Sequence, residues 1–164
     1  MPFVSPSLCY IRRMLLDHQL ALETIAKPRS FIGLMCLYES NYFRLQQLIP
    51  EIERLDGCYQ SCVAGDCDLH VEIIERSRYT VTLSLSYFFY ELDRRIADPA
   101  MKVRVYLDAQ LAEAMSLRGD HRNVELKRLS RIHGRELDER WRHNIFLSKW
   151  LEYLIDQGHL VLER

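Results

Sequence analysis

Alternating apolar and polar positions between Leu69 and Leu117 form the clearest pattern of this chain. The segments 69–74 and 79–86 each change between apolar and mostly polar side chains at every second residue, and a polar turn at 75–78 separates them. In a β-strand a two-residue period places the apolar side chains on one face. The pattern therefore predicts an antiparallel hairpin with one apolar face and one hydroxyl-rich face.

A second hairpin is predicted from Met101 to Leu117. Apolar residues at 101, 103, 105 and 107 alternate with Lys102, Arg104, Tyr106 and Asp108, and a turn near 108–110 returns the chain through 111–117. The return segment contains Leu, Ala, Glu and Met, which are strong helix formers. A helix over 109–117 is therefore the alternative, although we favour a strand.

The segment between the two hairpins begins with aromatic residues and continues with charged ones. The aromatic run at 87–90 is expected to serve the core, because aromatic side chains bury large areas. A ligand-stacking wall is the alternative. Residues 91–100 are charged and end in Asp98-Pro99, a combination typical of an exposed loop.

Two helices are predicted to flank this sheet. Ser30 is a candidate N-cap for a helix over 31–48, whose apolar stripe includes Asn41 and which ends before Pro50. We expect Asn41 to make a structural hydrogen bond. A final helix over 136–157 carries a wide apolar stripe with Trp141 and Trp150, and Gly158 is placed to cap it. The fold class is therefore α+β, an antiparallel sheet of about four strands in two hairpins packed against N-terminal and C-terminal helices.

Residues 1–26 are predicted to be an N-terminal extension outside a single α+β domain at 27–164. Apolar residues at helical spacing favour a helix over 8–26, which Pro28 would end. A chain of 164 residues is long enough to bury one core without disulfides.

Charge and composition exclude several classes of protein. A net charge of -1 gives no global attraction to nucleic acid or to an anionic membrane, and no apolar run reaches the roughly 20 residues of a membrane-spanning helix. The first residues lack the basic start of a secretory signal. Five cysteines cannot all pair within one chain, so we expect reduced thiols and a cytoplasmic location.

One group of residues has the chemistry of a zinc site. Cys58, Cys62, Cys67 and His70 are four potential ligands for a tetrahedral ion. Their spacing differs from the two separated cysteine pairs of a zinc knuckle, and on one strand Cys58 and Cys62 would lie about 13 Å apart. We therefore expect ordinary thiols, no metal and no cofactor.

The candidate binding residues lie on the polar side of the predicted sheet. They are Glu75, Arg78, Arg104, Tyr106, Asp108 and Glu113. An arginine fork suits a carboxylate or a phosphate, a tyrosine stacks or donates a hydrogen bond, and a partly buried glutamate is a candidate general base. The alternative for Arg104 is an ion pair with an acidic residue on a neighbouring strand. The sequence contains no catalytic signature, so catalytic residues stay unknown.

The most basic segment of the chain is 118–135. It contains six cationic side chains, Arg118, Arg122, Lys127, Arg128, Arg131 and Arg135. Such a run neutralises phosphates in some proteins, but it is more often a solvated connector, and no glycine-rich phosphate loop accompanies it.

Several short motifs resemble the YqiB-like family of bacterial proteins, named for a domain of unknown function (1249). They are Glu39-Ser40-Asn41-Tyr42, residues 75–80, residues 103–109 with Ala112-Glu113, Asp138-Glu139, Asn144, Phe146-Leu147 and Trp150-Leu151. The resemblance runs in order from Lys27 to His159. It implies a small cytoplasmic bacterial protein and carries over no catalytic residue. The family pattern begins near Lys27 and does not include the three clustered cysteines.

Three classes of function follow from these observations. The first is a non-enzymatic binding or regulatory module for a small anionic ligand or a protein partner. The second is a hydrolase or transferase acting on a phosphate- or carboxylate-bearing substrate through Glu75, Asp108 or Glu113; a cleft that holds two of these carboxylates within about 5 to 9 Å of each other would favour it. The third is a nucleic-acid binder that uses the segment 118–135, which we consider the weakest of the three.

Overall fold

A computed structural model describes residues 30–91, 94–118 and 136–163. In these ranges the chain forms two helices and five strands. They are α1 (Phe31–Leu48), β1 (Cys58–Ser61), β2 (Leu69–Arg76), β3 (Thr80–Glu91), β4 (Arg94–Tyr106), β5 (Leu111–Arg118) and α2 (Glu136–Asp156). The predicted α+β class is confirmed, with five strands rather than four. The added strand is β1, which comes before the two predicted hairpins.

The five strands form one antiparallel sheet in the order β1-β2-β3-β4-β5. The strand prediction for 111–117 is confirmed, because β5 pairs with β4 from Leu111 to Arg118. Pairing with a neighbouring strand outweighs the helix-forming tendency of this segment.

The prediction of an exposed loop over 91–100 was wrong. Strand β3 continues to Glu91 and β4 begins at Arg94, so that Tyr90 lies opposite Arg95. The aromatic residues of β3 favour an extended backbone, and this long partner strand recruits the charged residues that follow it. The expectation that the aromatic run serves the core holds for Tyr87, which is fully buried, but not for Tyr90, which is 79% exposed.

Both helices pack on one face of the sheet. The buried core joins alternate residues of β2 to β5 with the apolar stripes of the helices, and Trp150 lies at its centre against the rings of Tyr87 and Phe146. A smaller cluster contains Leu34, Tyr38 and Trp141. The prediction that the terminal helix covers the apolar face is confirmed.

Helix α1 begins and ends as its sequence predicts. The Ser30 hydroxyl accepts a hydrogen bond from the Gly33 amide at 3.0 Å, which caps the first turn. The helix ends at Leu48, ahead of Pro50, as expected. Asn41 is fully buried and its Nδ2 donates to the Asn144 carbonyl at 3.2 Å, so the structural role expected for it is confirmed.

Helix α2 ends in a left-handed glycine and leads into a short C-terminal segment. Gly158 has a φ of 87°, and the His159 amide donates to the Leu154 carbonyl at 3.0 Å. The Val161 amide then donates to the Leu48 carbonyl at 2.9 Å. The C-terminal segment is therefore attached to the end of α1.

Asn144 of α2 also covers the outer edge of β5. Its Oδ1 accepts the Ala114 amide at 2.8 Å, a backbone donor that would otherwise lack a partner strand. Its Nδ2 donates to the Arg140 carbonyl at 2.8 Å. One amide side chain thus connects the helix to the sheet edge.

Two predicted segments lie outside the described residues. They are the helix over 8–26 and the basic segment 118–135, apart from Arg118 at the end of β5. Neither described helix is long and apolar enough to cross a lipid bilayer.

Candidate functional site

The face of the sheet opposite the helices, here called the outer face, carries polar side chains in cross-strand rows. The register aligns one row as Glu75, Thr82, Arg104 and Glu113, and the next row as Glu72, Ser84, Lys102 and Ser116. Each row therefore runs from an acidic residue on β2, across a hydroxyl on β3, to a cation on β4. Three of the six candidate residues from the sequence fall in the first row.

Glu113 binds side chains from three other elements. Its Oε1 accepts hydrogen bonds from the Tyr38 hydroxyl at 3.2 Å and from Arg140 Nη1 at 2.9 Å. Its Oε2 accepts from the Tyr106 hydroxyl at 3.2 Å. The Glu113 side chain is only 15% exposed, so these donors replace much of its hydration. Glu113 therefore links both helices to β4 and β5.

Arg104 lies directly opposite Glu113 on the neighbouring strand, but the two do not form an ion pair. Within the described residues, the only bond of the Arg104 guanidinium is a long one from Nε to the Thr82 hydroxyl, at 3.5 Å. Arg140, rather than the cross-strand neighbour Arg104, forms the ion pair with Glu113. Lys102, two residues before Arg104, likewise has no ion pair in this part of the chain.

Of the remaining candidates, Glu75 lies at the far end of the first row, whereas Arg78 and Asp108 lie in turns, and the expected position of Glu75 was wrong. Glu75 belongs to β2 rather than to a turn, because a bulge at Ile74 shifts the register and strand pairing continues through Arg76. Asp108 lies in the β4–β5 turn, as the turn predicted near 108–110 indicates, and its Oδ1 accepts the Ala109 amide at 2.9 Å. Arg78 lies in the β2–β3 turn with its guanidinium 5.0 Å from the centre of the Tyr79 ring.

The environment of Tyr38 predicts a specific loss of stability in alkali. Burial, and after it the charge of Glu113, raises the pKa of Tyr38 from 10.0 to about 12. Between these values the unfolded chain has released the phenolic proton while the folded protein retains it, so stability falls as the pH rises. Tyr38→Phe should cost about 1 kcal/mol at neutral pH and make this alkaline decrease smaller, as measured by urea unfolding.

Tyr90→Phe is the matched control, since Tyr90 is exposed. It should leave the free energy of unfolding and its pH dependence as they are in the wild type. An alkaline decrease in Tyr38→Phe as large as that of the wild type would contradict the assignment.

A second polar group lies inside the protein, around the carboxylate of Asp66. Its Oδ2 accepts the Tyr87 hydroxyl at 3.0 Å and lies 3.1 Å from His159 Nε2, while Oδ1 accepts the Tyr153 hydroxyl at 2.9 Å. The Asp66 and His159 side chains are essentially inaccessible to solvent. Burial, followed by the charge of Asp66, raises the pKa of Tyr87 well above its usual range, so that Tyr87 remains a donor. This buried network joins the loop after β1 to β3 and to the end of α2.

Ser61, His159 and Asp66 form a connected chain with the composition of a hydrolase triad. The Ser61 hydroxyl lies 3.1 Å from His159 Nδ1, on the opposite ring nitrogen from Asp66. However, Ser61 is buried and its Oγ accepts the Leu160 amide at 3.2 Å, so the oxygen holds the C-terminal segment instead of facing a substrate. We therefore interpret this chain as structural.

The described residues contain no group of three or more His, Cys, Asp or Glu side chains arranged to hold a metal ion. His70, one of the four considered as zinc ligands, has its ring 4.7 Å from that of Phe88. Burial, and then the nearby charge of Arg95, lowers the pKa of His70. Cys58 and Cys62 are exposed and Cys67 is half-buried, and no disulfide joins any two of the described cysteines.

Comparison with known proteins agrees with the resemblance noted in the sequence. The family model described as "Protein of unknown function (DUF1249)" matches residues 44–160. The chain belongs to this family. It is 28% identical over 145 residues to the uncharacterized protein YqiB of Escherichia coli strain K12, a match covering 80% of this chain and 93% of that protein. The YqiB proteins of strains O6:H1 and O157:H7 match to the same extent. No solved structure matches the chain.

The DUF1249 match includes the outer face and the buried network, whereas Tyr38 precedes it. Sequence reasoning missed Tyr38 and Arg140 as partners of Glu113, and it missed the whole group around Asp66. Tyr38 is 75 residues from Glu113, and His159 is 93 residues from Asp66. No local spacing signals contacts between residues so far apart in the chain.

Proposed function

We propose that this DUF1249 protein is a non-enzymatic binding module of the bacterial cytoplasm. Its outer face recognises an anionic group, a phosphate or a carboxylate, through Lys102 and Arg104. Two cations at alternate positions of β4 lie about 7 Å apart on one face, close enough to contact oxygens of one ligand. The hydroxyl of Ser84, opposite Lys102 on β3 and partly exposed, supplies an additional neutral donor.

The observation that carries this proposal is the pairing of Glu113 with Arg140 instead of Arg104. A cation already neutralised by a strand neighbour offers little to an anion, because the ligand must then displace a carboxylate. The Arg104 guanidinium, in contrast, has only its long contact with Thr82 among the described residues. Its planar fork suits two oxygens of a carboxylate or phosphate.

The enzymatic alternative receives less support from the spacing of the carboxylates. Glu75 and Glu113 lie on β2 and β5, three strand spacings or about 14 Å apart in one row. That separation exceeds the roughly 5 to 9 Å of paired-carboxylate chemistry. Asp108 lies beyond the row in a turn. We therefore prefer the binding module.

A thermal-shift titration tests the proposal with inorganic phosphate, pyrophosphate and citrate, at an ionic strength kept constant with chloride. We expect at least one of these anions to raise the melting temperature by several degrees, because a ligand at a hundred times its Kd stabilises by about 2.7 kcal/mol. Arg104→Ala and Lys102→Ala should each abolish most of the shift. Neither change should lower the melting temperature in chloride by more than a degree or two.

The control is Arg54→Ala, which removes the same charge from an exposed site where the Arg54 guanidinium lies 3.9 Å from the Glu51 carboxylate. This variant should retain the full shift. The proposal is wrong if none of the three anions stabilises the wild type. It is also wrong if Arg104→Ala responds as Arg54→Ala does.

A further inference from the structure

Strand β1 forms one edge of the sheet. The N–H and C=O groups of its successive residues point alternately towards β2 and away from it. The Ile73 amide donates to the Gly57 carbonyl at 2.8 Å, which identifies these opposed residues as a hydrogen-bonded pair. In an antiparallel ladder such pairs occur at every second residue. Tyr59 and Ser61 therefore direct their backbone groups towards β2, whereas Cys58 and Gln60 direct theirs away from it.

The two edges of the sheet differ in how they are protected. At β5 the Asn144 side chain accepts the outward amide of Ala114. At β1 no hydrogen bond of the described chain uses the outward backbone groups of Cys58 or Gln60, and both residues are exposed. An exposed edge with unpaired backbone groups is a template for another strand.

The positions of two exposed cysteines make this edge complementary to itself. Cys58 and Cys62 lie two residues on either side of Gln60, with the parity that places their side chains on the same face. If two copies pair antiparallel about a two-fold axis at Gln60, Cys58 of each copy lies opposite Cys62 of the other. All three positions then form hydrogen-bonded pairs, for which the Cα atoms are about 5.5 Å apart. That distance is suitable for a disulfide bond.

We propose that the exposed edge of β1 pairs with β1 of a second copy of this chain, in the register that places Gln60 opposite Gln60. The pairing joins two five-stranded sheets into one continuous sheet. Cys62 directly follows β1, so the strand lengthens by one residue on pairing. An interface of so few residues is weak while the thiols are reduced. Two symmetric disulfides, each between Cys58 of one copy and Cys62 of the other, make it persistent. This surface is separate from the anion site proposed for the outer face of β4.

Oxidised glutathione is a sufficient oxidant for this step. The thiolate of one cysteine attacks the glutathione disulfide, forms a mixed disulfide and releases one reduced glutathione. The opposite cysteine of the second copy then attacks its partner's sulfur in the mixed disulfide and releases the second glutathione. Each new disulfide removes two protons and two electrons from the two cysteines, and one oxidised glutathione becomes two reduced molecules.

The register makes a specific prediction for cross-linking of the full chain by oxidised glutathione, followed on non-reducing gels. The wild type should give a dimer of twice 19.5 kDa that dithiothreitol returns to the monomer. Cys58→Ser and Cys62→Ser, each oxidised alone, should fall to the level of the double variant Cys58→Ser/Cys62→Ser. An equimolar mixture of the two single variants should recover about half of the wild-type yield, because only mixed pairs then contain one cysteine opposite another.

The double variant measures any cross-linking through the other cysteines. The proposal is overturned if the mixture gives no more dimer than the single variants do. It is also overturned if either single variant cross-links as well as the wild type, since the thiols would then meet in another register.

A proline at position 60 tests whether the contact uses strand pairing. Gln60→Pro retains both thiols but removes the outward amide, and it spares the β1–β2 hydrogen bonds because that amide does not face β2. Its melting temperature should stay near that of Gln60→Ala, the control, while its cross-linking falls to the baseline. A folded Gln60→Pro variant that cross-links like Gln60→Ala would overturn the proposal. If the proline variant does not fold, the cysteine mixture decides the question alone.

Discussion

Replacing Trp150 with alanine is expected to lower the free energy of unfolding by about 4 to 5 kcal/mol. Trp150 is fully buried at the centre of the larger core cluster, where its ring lies 5.5 Å from that of Tyr87 and 5.9 Å from that of Phe146. Truncation removes the transfer energy of the indole and leaves a cavity that rigid neighbours cannot fill. Equilibrium unfolding in guanidinium chloride, followed by far-ultraviolet circular dichroism, measures the loss.

Trp141→Ala is the matched comparison, because it removes the same side chain from the same helix. Trp141 is 9% exposed and belongs to the smaller cluster with Leu34 and Tyr38, so we expect a loss nearer 3 kcal/mol. A larger loss of unfolding free energy for Trp141→Ala than for Trp150→Ala would contradict the placement of Trp150 at the centre of the core. If Trp150→Ala does not fold, Trp150→Phe keeps most of the volume and should still cost about 1 to 2 kcal/mol.

Replacing Asp66 with alanine is expected to cost about 3 to 5 kcal/mol, which is large for a residue in a loop. The change leaves the hydroxyls of Tyr87 and Tyr153 and the Nε2 atom of His159 buried without their common partner. It also releases His159, which helps to hold the C-terminal segment against Ser61. Urea unfolding at neutral pH gives the free energy directly.

Asp68→Ala provides the control for Asp66→Ala, two residues further along the same loop. Asp68 is exposed and, among the residues that the structure describes, accepts one side-chain hydrogen bond, from Gln60 at 2.8 Å, so its loss should cost less than about 1 kcal/mol. Combining Asp66→Ala with His159→Ala should cost clearly less than the sum of the two changes, with a coupling of about 0.5 to 3 kcal/mol. Equal costs for the two aspartates, or additive costs in the double variant, would contradict the buried network.

Local periodicity was sufficient for most of the fold because each element carries its own signal. The two-residue alternation of 79–86 and the apolar stripes of both helices predicted which faces are buried, and the caps at Ser30 and Gly158 were found from their residue types. The loop prediction for 91–100 failed because charged residues entered an extended strand only through pairing with β3. The charge of a segment does not show whether a neighbouring strand will pair with it.

The candidate site was only partly accessible to the same reasoning. Alternation placed Lys102, Arg104 and Tyr106 together on one face of β4, and the register agrees with that placement. The choice of partner for Glu113 was not predictable, since Arg140 and Tyr38 come from helices far away in the chain. Whether Arg104 is neutralised depends on that choice, so the charge of the outer face is a tertiary property.

The sequence by itself determined both helices, the four strands of the two hairpins with their order, the buried faces and the membership of a family of unknown function. These properties depend on neighbours within a few residues, where backbone geometry and side-chain period act directly. Only the tertiary structure decided that Asp66, His159, Tyr87 and Tyr153 meet in the interior and that Arg140, rather than Arg104, pairs with Glu113. It also decided that Asn144 accepts an outward amide of β5, while no hydrogen bond among the described residues uses the outward backbone groups of Cys58 and Gln60 on β1. Those outcomes depend on contacts between segments tens of residues apart, which form only when both helices pack on the sheet.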